Sequence, residues 1–119
     1  MGGAHAALAW AALGATGVLL VLAGLAAIGS RVSLRAIDLA ILVQLAIAGL
    51  SAVMGIVTAV VQSAPRDALH LVYGAVATGA PIAARAAAHR RGTIAIARWV
   101  AVGALVGLGA TVRAFMTGT

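Results

Sequence analysis

Apolar residues run through this chain in four long blocks, and almost every charge lies in the gaps between them. Residues 6–29, 39–62, 68–84 and 93–112 contain no acid, and Arg98 is their only ionised residue. Each block is close to the ~20 residues that cross ~30 Å of hydrocarbon as a helix. The pattern predicts an all-α, integral membrane four-helix transmembrane bundle. It forms a single transmembrane domain over residues 1–119, with helices at about 6–29, 36–62, 66–88 and 93–115.

The gaps carry helix punctuation. Gly29 and Ser30 end helix 1, and Ser33 and Asp38 mark the approach to helix 2. In Ser63-Ala64-Pro65-Arg66-Asp67, the proline suits a helix start and Asp67 favours the positive end of the helix 3 dipole. Gly92, after His89-Arg90-Arg91, reads as the C-cap of helix 3. All three gaps are short, so consecutive helices are expected to run antiparallel, up-down-up-down.

Small residues recur at four-residue spacing. Gly103, Gly107 and Thr111 line helix 4, Ser51, Gly55 and Ala59 line helix 2, and Ala23 and Ala27 line helix 1. Lipid is already apolar, so helices in it associate through close van der Waals contact between such flat stripes. These stripes are expected to serve packing within the chain.

Composition narrows the class. Hydrophobic residues make up 64% of the chain, more than a soluble domain of 119 residues could bury, so apolar surface must face lipid. Cysteine is absent, which removes disulfides, thiolate chemistry and Cys-ligated metal sites. Lysine is absent as well. This Arg-for-Lys usage, with its Ala/Gly/Val/Leu bias, points to a GC-rich bacterial genome and hence to the bacterial inner (plasma) membrane as a multi-pass protein. No Lys or Arg precedes the first block, so it is expected to persist as helix 1 rather than act as a cleaved signal.

The net charge of +6 gives orientation. Placing both termini outside puts Arg31, Arg35, Arg85, Arg90, Arg91 and Arg98 on the cytoplasmic side and leaves Arg66 and Arg113 opposite. The positive-inside rule then selects N-out, C-out. The arginines are scattered over helix ends with no basic face of interleaved aromatics, so no nucleic-acid partner is expected. Trp10 and Trp99 suit the two interfacial belts.

Two polar groups could carry chemistry. At the outer end, Asp67, His70 and Tyr73 share one face of helix 3, a face continued by Gly74, Ala77, Pro81 and Ala84. Pairing helices 3 and 4 about their loop brings Arg113 to that level, with Gln62 at the end of helix 2. This outer cluster is either a structural clamp on three helix ends or a ligand site. At the cytoplasmic end, the same loop-centred pairing sets Gln44 level with Arg85 and Asp38 level with Arg91. That inner set would anchor the interface or hold an anion or lipid headgroup. Haem would need two facing histidines. His70 is a candidate, but His5 lies in the N-terminal tail and His89 at the opposite surface, so no cofactor is predicted. The only acids, Asp38 and Asp67, lie at opposite faces, and no nucleophile has a paired base; no enzyme is expected.

Four helices in about this length are similar to the small multidrug resistance transporters and the small fluoride channels. The former carry a glutamate in helix 1, which has none here. The latter carry a Phe-rich helix motif, and Phe115 is the only phenylalanine. The stretch Asp67-Ala-Leu-His-Leu-Val-Tyr-Gly74, with Arg113-Ala-Phe-Met-Thr-Gly118, resembles small four-helix membrane proteins of bacteria, a resemblance that implies the fold and no activity. The leading expectation is a small non-enzymatic accessory or scaffolding subunit. Its partners would be the lipid bilayer and a larger membrane complex or further copies of itself. A haem- or small-ligand-binding protein centred on His70 is the alternative, and a small-solute or ion transporter the second.

Overall fold

The computed structural model describes residues 2–29, 31–61 and 68–117, with side chains except at 2–5, 58–59, 68–71, 115 and 117. The described chain is all-helical: α1 (Gly2–Ala27), α2 (Leu34–Val61), α3 (Ala68–Ala87) and α4 (Thr93–Thr117). Its extents of 48 × 21 × 20 Å are those of helices standing two by two, since a helix with side chains is ~10–12 Å across. Each helix packs on the next in sequence and α4 closes back onto α1; α3 and α4 share the most extensive contact.

Local chemistry sets the helix ends. Gly29 has φ +90°, the left-handed conformation that closes a helix and that a β-carbon disfavours. Ser33 caps α2, its Oγ accepting from the backbone N–H of Ala36 at 3.1 Å. Gly92 differs from the sequence expectation. It ends no helix; its carbonyl accepts the N–H of Ile96 at 2.9 Å, so it opens α4. The turn after α3 is instead closed by Arg91, whose N–H donates to Ala88 O at 2.9 Å. The proposed cap at Pro65 and Asp67 lies outside the described residues.

α1, α2 and α4 each bury a stripe at alternating four- and three-residue spacing. Ala12, Thr16, Leu19, Ala23 and Ala26 are buried on α1, and Ile37, Ile41, Gln44, Ala48 and Ser51 on α2. That 3.5-residue repeat keeps one seam facing the neighbours of a slightly twisted bundle. The largest apolar cluster sits at the end carrying the 28–33 and 88–92 turns. There Leu19, Ala23 and Ala26 meet Ile37, Ile41, Ile96, Ala97 and Val100. Outside that cluster the interior leans toward small side chains. Interior positions are rich in Ala, Gly, Thr and Ser, while Val18, Val21, Leu42, Val53, Val102 and Leu105 stand outward, each more than half exposed.

Three helices hold stretches long and apolar enough to cross a membrane: Ala6–Ala27, Leu34–Val57 and Thr93–Ala114. Among the described residues α3 holds no such stretch. It is the shortest at 20 residues, holds Pro81 in its interior and carries Arg85 in its last turn.

Candidate functional site

The small-residue stripes of α3 and α4 meet at Pro81. A β-carbon added at Gly103 would lie 2.6 Å from Ala84 Cβ and 2.9 Å from the Ala80 carbonyl oxygen. At Gly107 it would lie 3.4 Å from both Ala77 O and Pro81 Cδ. Position 103 therefore requires glycine unless the helices shift, whereas a β-carbon at 107 would only reach van der Waals contact with α3. On the other helices Ser51 and Ala23 are buried, Ala27 is packed against the core, and Gly55 is half-buried.

Pro81 has a second consequence. Proline has no N–H, so the carbonyl four residues earlier, Ala77 O, loses its helical donor. In the bundle interior an unsatisfied carbonyl is costly. Gln44 supplies the missing bond: its Nε2 donates to Ala77 O at 2.9 Å from a fully buried position on α2. The amide orientation follows from this contact, because the flipped form would set oxygen against oxygen. Gln44 Oε1 is left buried with no partner. Three threonine hydroxyls bond within their own helices. Thr16 donates to Ala12 O at 2.8 Å, Thr78 to Gly74 O at 2.9 Å and Thr111 to Gly107 O at 2.7 Å.

The inner polar set is joined differently from the loop-centred pairing. Arg85 meets Asp38 instead of Gln44: Nε lies 2.7 Å from Oδ1 and an Nη 3.4 Å from Oδ2. Among the described residues Arg91 in turn meets no acid; it lies over Trp99, its guanidinium carbon 5.3 Å from the ring centroid. The correction is a register shift. Residue 85 faces 38 and residue 77 faces 44, where symmetry about the 62–67 connection would put 44 opposite 85. Six to eight residues of helix correspond to roughly 9–12 Å of axial slide. The lengths explain it: α2 has 28 residues against 20 in α3, so α2 runs beyond the start of its neighbour.

At the outer end the guanidinium carbon of Arg113 lies 5.7 Å from the centre of the Tyr73 ring, a cation–π contact bridging α4 and α3. Asp67 and Gln62 lie outside the described residues. So does the side chain of His70, although its backbone belongs to α3.

The Gln44–Ala77 link was missed in the sequence, yet its signal was present. A proline inside an apolar helix announces a bare carbonyl at i−4, and Gln44 is the one amide side chain inside an apolar block at a comparable depth. The Arg91–Trp99 contact had no comparable signal, because it depends on how the 88–92 turn folds back over α4. Comparisons with protein-family models, curated proteins and solved structures give no match. Function is therefore read from the chain's own residues.

Proposed function

We propose that the chain is a small, non-enzymatic, multi-pass protein of the bacterial inner membrane. In this reading it serves as an accessory or scaffolding subunit of a larger membrane complex or of a homo-oligomer. All four helices cross, and both termini face outward. The observation that carries this reading is the outward surface: Val18, Val21, Leu42, Val53, Val102 and Leu105 project where water would disfavour them. In lipid such a surface is unstrained and can seat against other helices.

A fourth crossing by α3 is supported by where its polar atoms go. Ala77 O is served by Gln44, Thr78 bonds its own helix, and Arg85 is paired with Asp38. Satisfying each group internally is what a membrane interior demands of an otherwise marginal helix. Orientation rests on the arginine asymmetry, and the bacterial assignment on composition. The test is copurification of a tagged full-length chain from its native membrane in mild detergent. A stoichiometric partner, or a defined oligomer of the chain itself, is the expected result. A monodisperse monomer with no partner would overturn the accessory role.

A further inference from the structure

Arg98 is the only charge within residues 93–112 of α4, the next being Arg113 near the far end of the helix. It sits five residues past Thr93, roughly 7.5 Å along the helix. Among the described residues it has no hydrogen-bond, ion-pair or ring partner. A guanidinium at this depth is costly unless it reaches a counter-charge. Its side chain leans toward the helix N-terminus, so it reaches toward the headgroup level.

Its surroundings are built for an amphiphile. Arg98, Trp99 and Val102 line an open hollow of about 320 Å³ on the outward face of α4. Trp99 and Val102 supply an apolar wall beneath the Arg98 guanidinium. Arg91 lies over Trp99 at 5.3 Å, a cation–π contact that takes up no acceptor for its N–H donors. One ring thus has a cation over it and a second cation beside it in sequence.

We propose that this face seats an anionic phospholipid. Arg98 and Arg91 would take the phosphate, and Trp99 and Val102 the first part of an acyl chain. Two guanidinium groups favour a phosphate uncompensated by a headgroup ammonium, hence phosphatidylglycerol-like over phosphatidylcholine-like lipid. The proposal rests on the membrane-embedded reading of the chain, and its test separates the two.

The chain has two tryptophans, so Trp10→Phe leaves Trp99 as the sole tryptophan, excited selectively at wavelengths where Tyr73 does not absorb. That full-length variant is reconstituted in mixed vesicles where either the anionic or the zwitterionic phospholipid carries brominated, quenching acyl chains. Quenching of Trp99 should show a preference for the anionic lipid of about fivefold for each of the two arginines, the ratio that one arginine near a membrane surface supplies. Arg98→Gln should abolish most of this preference and Arg98→Lys retain much of it, with helix content by circular dichroism unchanged. Arg113→Gln, at the other end of α4, should leave the preference intact. Equal quenching by the two lipids, or an undiminished preference in Arg98→Gln, would overturn the lipid seat while leaving the membrane reading standing. Loss of the preference to inorganic phosphate, but not to chloride of equal ionic strength, would assign the seat to a free anion and overturn the lipid as its occupant. Absence of quenching by either lipid would overturn the membrane reading and this proposal together.

Discussion

Replacing Pro81 with alanine puts an N–H four residues beyond Ala77 and so offers Ala77 O the helical bond it lacks. In the native chain that carbonyl depends on Gln44 Nε2 at 2.9 Å. Gln44→Leu alone therefore strips the carbonyl of its donor. Side-chain bonds between membrane helices average about 0.6 kcal/mol and reach about 1.7, so the loss falls in that range. It is partly offset because the orphaned Oε1 disappears with the side chain. Pro81→Ala alone improves helix propensity but removes the ring that packs 3.4 Å from where a Gly107 β-carbon would stand. Neither single effect is clean, but their coupling is. In the Pro81→Ala background, Gln44→Leu should cost about 1 kcal/mol less than in the native chain, and could become neutral. The assay is a double-mutant cycle by reversible unfolding in mixed micelles, followed by far-ultraviolet circular dichroism. Additivity within about 0.3–0.5 kcal/mol would refute the idea that Gln44 substitutes for the bond proline removes.

Further expectations concern packing and charge. Gly103→Ala should destabilise the bundle by about 1–3 kcal/mol, since its β-carbon would overlap Ala84 Cβ and Ala80 O. Gly109→Ala, with nothing within 4 Å of the new carbon, should be neutral or slightly stabilising in the same unfolding assay. Asp38→Asn and Arg85→Leu should each lower stability by leaving a partly buried charge unpaired, and the double variant should regain part of the loss. Equal losses that simply add would show that both groups are neutralised by headgroups.

Hydropathy made the helices legible and hid their orientation. In α1 and α2 apolar residues surround the helix, so no polar face marks the outside. Part of the inside was visible through size, at Gly103, Gly107, Ser51 and Ala23, because close approach demands small residues. The buried stripe running through Thr16, Leu19, Gln44 and Ile41 mixes sizes and chemistry, and was harder to see. The inner ion pair was read with the right members and the wrong partners. Asp38 and Arg85 were both singled out, but register between antiparallel helices is set by interlocking side chains, and a connection's midpoint does not fix it. The Gly92 cap failed for a similar reason, because a glycine between two helices can close one or open the next. The polar pair Tyr73 and Arg113 was legible because α3 and α4 are joined by so short a turn that pairing about it brings the far ends of both helices to one level.

Whether α3 crosses the bilayer decides the account, and the absence of cysteine makes it directly measurable. Single cysteines at Ser63, Gly92 and Thr119 can be probed with a membrane-impermeant maleimide in intact cells and after permeabilisation. The account predicts that Ser63→Cys and Thr119→Cys label in intact cells, while Gly92→Cys labels only once the membrane is opened. Labelling of Ser63→Cys and Gly92→Cys from the same side would contradict it, because α3 would then lie within the bundle without crossing the membrane.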